Sequence, residues 1–182
     1  RRKIVKNHKI LNNNKNFNKK RMFTMWELGV LALAMLALLV VARMTFGIVS
    51  RIEGYSLTYE TVENDNQAVG IRYATFLLAV IVSFLGILHP SGVSLAEDLN
   101  IIAGYGLLSI SLLVVSRWVN DYLILYDFGN NKEVIGEKNT AVAIVEGGTY
   151  MATAFIMAGA LCGWEGGFWV SLIWFGIGQV FL

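Results

Sequence analysis

Four apolar runs, each about twenty residues long, limit what this chain can fold into more than any other feature: residues 26–49, 66–88, 99–119 and 139–161. Wound as α-helix, a run of that length rises about 30 Å, the thickness of a bilayer's hydrocarbon core. A water-soluble core would instead be assembled from shorter amphipathic elements, each with one polar face. Apolar residues make up 55% of the chain and there is a single Pro, so the runs are not broken into such pieces. The expected fold class is an all-α integral membrane protein. The lone Cys162 excludes an intrachain disulfide framework and any Cys-based metal site, and reads as a small packing residue at a helix end.

The runs are related in pairs. A displacement of 73 positions lays Asn66 on Asn139, Ala68 on Ala141, Val69 on Val142, Ile71 on Ile144 and, upstream, Glu60 on Glu133. A displacement of 74 lays Leu39-Val-Val-Ala-Arg43 on Leu113-Val-Val-Ser-Arg117, as if one residue had entered a connection. Each Asn stands where a helix starts, placed to accept a hydrogen bond from an unpaired first-turn amide. Glu60 and Glu133 precede it by six residues, which brings each carboxylate near the positive end of the following helix. The expected organisation is a tandem duplication: repeat 1 over 26–88, repeat 2 over 99–161, and the start of a third repeat, broken off, over 168–182. Each copy contributes two spans, so the copies point the same way as parallel repeats. Inverted-repeat transporters with broken helices at the midplane are a poor comparison.

Between the spans, 50–65 and 121–138 read as long polar connections, with 60–65 as a short helical lead-in. The connection between the second and third spans is short, opened by His89-Pro90, which ends a helix because Pro cannot continue one. Gly148 with Ala152, and Ala154 with Ala158, are small pairs of the kind that let a neighbouring membrane helix approach.

Charge is unevenly distributed. Nine of the fifteen Lys and Arg lie in the first 21 residues, a segment without helical periodicity that is expected to be disordered in isolation. As part of the native protein it would be a polybasic arm for anionic lipid. Its Asn/Lys/Ile bias instead resembles translated AT-rich sequence, and the expectation is that it is not native, with Met22 or Met25 as the natural start. The tail would place the long connections outside the cell. Without it, Arg43, Arg51, Arg72, Arg117, Lys132 and Lys138 all belong to the long-connection side, which places those connections inside. The second orientation is the one expected.

Two charges fall within spans at nearly matching depths: Arg72, and Glu146 one residue beyond its repeat equivalent. Such groups are costly in hydrocarbon and face protein or water. Arg72 and Glu146, with Asn66 and Asn139, are therefore the candidate residues of a ligand or ion path, in which Glu146 would bind a cation or proton. The alternative is a structural salt bridge that locks the two repeats together. Replacing Glu146 by Gln is expected to leave folding largely intact under either. Arg43 sits near the far end of its span, where an isolated arginine reaches headgroups along its stem. Phosphate-binding loops, metalloprotease motifs and nucleophile elbows are missing, and of two histidines one lies in the tail. Neither catalysis nor a cofactor, metal or nucleic-acid partner is expected.

An apolar span ending in Arg, a Glu-containing connection, and Asn-x-Ala-x-x-Ile opening the next span, all in tandem, resemble the domain of unknown function 350 family, the YjfL-like bacterial inner-membrane proteins. The likeness covers about 26–161 and is carried best by Glu133 with Asn139-Thr-Ala-Val-Ala. It implies a multi-pass protein of the bacterial inner membrane, built of two-helix repeats, with no established activity; this chain looks like a truncated long member. The function expected is a permeation or transport-related component; the alternative is a non-transporting scaffold that serves a membrane complex as partner subunit or homo-oligomer.

Overall fold

The computed structural model describes residues 24–88, 94–121, 129–162 and 167–181. The basic tail, His89-Pro90 and Leu182 lie outside the described residues. Among the described residues, five helices run in order: α1 (Met25–Ile52), α2 (Gln67–Ile87), α3 (Leu95–Val119), α4 (Thr140–Leu161) and α5 (Phe168–Phe181). Two five-residue π-helical turns, π1 (Tyr59–Glu63) and π2 (Lys132–Gly136), precede α2 and α4. No strand occurs among the described residues. α1 to α4 are long and apolar enough to cross a membrane, whereas α5 is a shorter apolar helix of 14 residues.

Element ends follow from local chemistry. α1 opens with the Thr24 amide and hydroxyl both donating to Glu27 Oε2 at 2.8 Å, which satisfies the chain at its entry. It runs three residues past the apolar stretch, to Ile52, and turns at Gly54, whose φ of 88° suits a residue without Cβ. α3 opens at Leu95, four residues before the expected start. Ser94 Oγ accepts the Glu97 amide at 3.2 Å, and Glu97 and Asp98 in the first turn favour the positive helix end.

α2 and α4 form the most extensive helix pair. They run parallel, since residues near their starts meet (Arg72 with Glu146) and residues near their ends meet (Gly86 with Ala158). In lipid no hydrophobic force distinguishes a neighbouring helix from a lipid tail, so close packing and polar contacts must hold such a pair. Gly86 provides the closest approach: a Cβ there would lie 2.4 Å from Ala158 Cα. At the other end, a Cβ on Gly147 would meet the Thr75 side chain at 2.8 Å. The small-residue expectation needs correcting here. Gly148 faces open space, and Gly147, one position earlier, is the residue against α2. α1 and α3 also run parallel, with Glu53 just past the end of α1 beside Arg117 near the end of α3. α3 touches α1, α2, α4 and α5, while α1 packs chiefly on α2 and α3.

Candidate functional site

The site is built from the connections inward. In π1 the Glu60 carboxylate accepts from the Asn64 and Asn66 side-chain amides at 2.9 and 3.1 Å. This fixes which way the Asn66 amide points, and its Oδ1 accepts the Val69 amide at 3.2 Å. The same relay recurs before α4: Glu133 Oε2 accepts from Asn139 Nδ2 at 3.1 Å, and Asn139 Oδ1 accepts the Ala141 and Val142 amides at 3.1 and 3.4 Å. The two leads also share a backbone bond from Asn to Glu (2.9 and 3.0 Å) and a left-handed residue just before the Asn, Asp65 at φ 46° and Lys138 at φ 52°. Both carboxylates thus act on the helix start through the Asn side chain. Beyond this common plan, Asn66 Nδ2 also donates to the Val134 and Ile135 carbonyls at 3.0 and 3.4 Å, joining the start of α2 to π2.

Six residues past its Asn cap, about 9 Å along the helix, Arg72 turns toward α4. Its Nε and Nη2 donate to the two oxygens of Glu146, the latter at 2.6 Å, a fork-on-fork pairing. Arg72 Nη1 donates to Asn131 Oδ1 at 2.9 Å. The same oxygen accepts from Arg117 Nη2 at 3.2 Å, and that nitrogen also donates to Glu53. Asn131, just ahead of π2, thereby bridges two arginines whose charges Glu146 and Glu53 offset. Exposure falls inward, from 11% for Glu53 through 3% for Arg117 to 1% and 0% for Glu146 and Arg72. Asp121 stands 3.9 Å from Arg117 Nε and accepts from Asn130 at 2.6 Å. Burial holds the Glu53 carboxyl above its ordinary value, and the charge of Arg117 counters this only in part.

Under the charges lies an aromatic layer. Arg117 stacks over Phe46 at 5.7 Å; Phe46 packs on Phe76 at 5.2 Å, and Phe76 meets Tyr150 edge-on at 5.6 Å. Arg117 Nε and Nη1, the hydroxyls of Tyr55 and Tyr150, and Asn130 Oδ1 are buried without a hydrogen-bond partner among the described residues.

Of the four residues singled out in the sequence, Arg72 and Glu146 are in direct contact, while Asn66 and Asn139 cap α2 and α4. Arg117 was not among these candidates. It is buried inside the bundle, whereas its twin Arg43 is exposed and donates to Tyr73 Oη at 3.1 Å. Glu53, Asn131 and Asp121 had no distinguishing signal, since each reads as an ordinary polar residue of a connection.

A protein-family model described as Domain of Unknown Function (DUF350) matches the chain over residues 22–161 and over 93–182. No curated protein and no solved structure matches it.

Proposed function

The chain belongs to the Domain of Unknown Function (DUF350) family, and we propose that it is a non-enzymatic, non-transporting scaffold or partner subunit of a membrane assembly. One observation carries this reading: Arg72 and Glu146 satisfy one another in a buried two-point pair, which Asn131 extends to Arg117 and Glu53. A carboxylate engaged in that way holds helices together, with both of its oxygens already bonded to a guanidinium. The lipid-facing sides of α1 and α5, with Leu33, Leu36, Val40, Trp169 and Ile173 exposed, leave room for a second copy or another membrane subunit. The proposal includes a bacterial inner-membrane location with the long connections inside, as the resemblance and the positions of the arginines suggest. It also includes parallel two-helix repeats, supported by the common Glu-to-Asn relay ahead of α2 and α4.

A permeation role has one observation in its favour. The unpartnered polar atoms of Arg117, Tyr55, Tyr150 and Asn130 are gathered beside the ion pairs, and buried polar atoms of this kind are usually met by water or solute. Proteoliposomes separate the two readings. For the scaffold, cation and proton leak through vesicles carrying the full chain matches that of protein-free vesicles. A flux that the Glu146→Gln variant abolishes overturns it and establishes permeation.

A further inference from the structure

Away from the charge cluster, the lipid-facing side of α1 carries a cleft of about 410 Å³. Arg43 and Arg51 line it together with Ser56 and Thr58, and Met44 and Ile48 supply apolar wall. On a helix of 3.6 residues per turn, positions 43, 44, 47, 48 and 51 share one side, within an arc of about 140°. Gly47 sits between the two arginines, and a Cβ at that position would meet nothing within 4 Å. The missing side chain is what opens the groove between the two cations.

We propose that this cleft binds an anionic phospholipid, its phosphate held between Arg43 and Arg51 and an acyl chain lying along Met44, Gly47 and Ile48. Three observations point to a lipid rather than a soluble anion. The cleft opens on a helix face whose neighbours Val40, Met44, Ile48 and Ile52 are exposed apolar residues, the surface that meets lipid. Arg43 lies nine residues inside the end of α1, about 14 Å along the axis. That is deep for a dissolved ion, but within reach of a headgroup when the arginine extends toward the interface. The third is the mixture itself, two guanidinium groups and two hydroxyls beside an apolar wall, which suits an amphiphile. Arg51 has no side-chain partner among the described residues, and the Arg43 guanidinium donates only to the Tyr73 hydroxyl at 3.1 Å. Both therefore have donors to spare for phosphate.

The test uses the full chain in detergent, titrated separately with phosphatidylglycerol, phosphatidylcholine and inorganic phosphate, with bound lipid read by native mass spectrometry. Phosphatidylglycerol is expected to bind well in preference to phosphatidylcholine, and millimolar inorganic phosphate should not displace it. The double variant Arg43→Gln/Arg51→Gln should weaken phosphatidylglycerol roughly twentyfold, since each arginine near an anionic headgroup contributes about a fivefold gain. Gly47→Leu fills the groove and leaves both charges in place, and it should weaken binding to a similar degree. Lys132→Gln removes a charge at the same end of the bundle outside the cleft, and should leave binding unchanged; the N-terminal basic segment is common to all variants. Should the double variant fold poorly, Gly47→Leu decides the matter, because a Cβ at Gly47 meets nothing within 4 Å and both arginines stay in place. Equal binding of the two lipids, indifference to Gly47→Leu, or displacement by inorganic phosphate would each overturn the proposal.

Discussion

The leads into α2 and α4 are built on one plan, and the helices behind them carry opposite charges. Each has a π turn, a Glu that orients an Asn, a left-handed residue just before that Asn, and an apolar helix behind it. They differ where the helices meet. α2 has Arg72 where α4 has Val145, and Tyr73 where α4 has Glu146. An arginine at position 145 would not meet Arg72, because Val145 is exposed; position 146, the match of Tyr73, is the one that faces Arg72. With one arginine and one glutamate, the same geometry gives a fork-on-fork ion pair. The local plan fixes where a helix begins and how deep its second turn lies, and the residues that differ make the two helices complementary.

Breaking that complementarity has the largest expected effect. Arg72→Leu leaves Glu146 as an uncompensated charge in the bundle and should cost about 3–5 kcal/mol, as for other buried pairs broken on one side. The double variant Arg72→Leu/Glu146→Leu should recover most of that loss. Thermal unfolding in detergent, followed by circular dichroism, measures both. Additive losses would show that the pair is not a unit. The structure also revises the expectation for Glu146→Gln: the amide keeps the shape but leaves the Arg72 charge unbalanced, so a measurable loss of stability is expected.

The second contrast lies at the other ends of the helices. Gly86 and Gly159 are 73 positions apart, the same displacement that lays Asn66 on Asn139. A Cβ on Gly86 would meet the Ala158 backbone at 2.4 Å, whereas one on Gly159 would meet nothing within 4 Å. Gly86→Ala should therefore push α2 and α4 apart and cost about 1–3 kcal/mol. Gly159→Ala should be neutral or stabilise by up to about 1 kcal/mol, through helix propensity alone. Equal effects at the two sites would mean that the close approach does not hold the helices together.

The Asn caps give a third and smaller contrast. Asn139→Ala removes a cap and should cost about 1 kcal/mol. Asn66 also binds the Val134 and Ile135 carbonyls and is buried, so Asn66→Ala should cost about 2 kcal/mol or more. The same unfolding measurement ranks them; a larger loss at Asn139 would show that the tie from Asn66 to π2 contributes nothing.

Much of this was legible in the chain. Apolar runs of bilayer length are a strong signal, and they located all four long helices. The shared Asn-x-Ala pattern located two helix starts, because a cap needs a specific residue at a specific place. The pairing of Arg72 with Glu146 followed from matching depth. The rest turns on which side of a helix faces protein, and an all-apolar span does not encode that in its periodicity. Arg43 and Arg117 end closely similar stretches, Leu39-Val-Val-Ala-Arg43 and Leu113-Val-Val-Ser-Arg117, yet α3 is flanked by four helices and α1 chiefly by two. The covered arc of α3 is wider, and it takes in the position that on α1 faces lipid. Glu53 and Asn131 were hidden for a related reason: a polar residue in a connection gives no sign that the chain folds it back over the end of a bundle.

The last contrast sets the sealed carboxylate, Glu146, against the one nearer the surface, Glu53, and the pH dependence of stability probes the second. Burial raises the Glu53 carboxyl above its ordinary 4.5, and Arg117 offsets only part of that rise. The folded chain then holds this proton more tightly than the unfolded chain does. Its contribution favours folding fully below about pH 4.5 and is lost as pH rises through the higher folded value. Measured between about pH 4 and pH 7, the native protein should lose stability relative to Glu53→Gln as pH rises, an effect smaller than any of the others. A difference that moves the other way would mean that attraction to Arg117 outweighs desolvation at Glu53. The outer pair would then tighten the bundle at neutral pH as the inner one does.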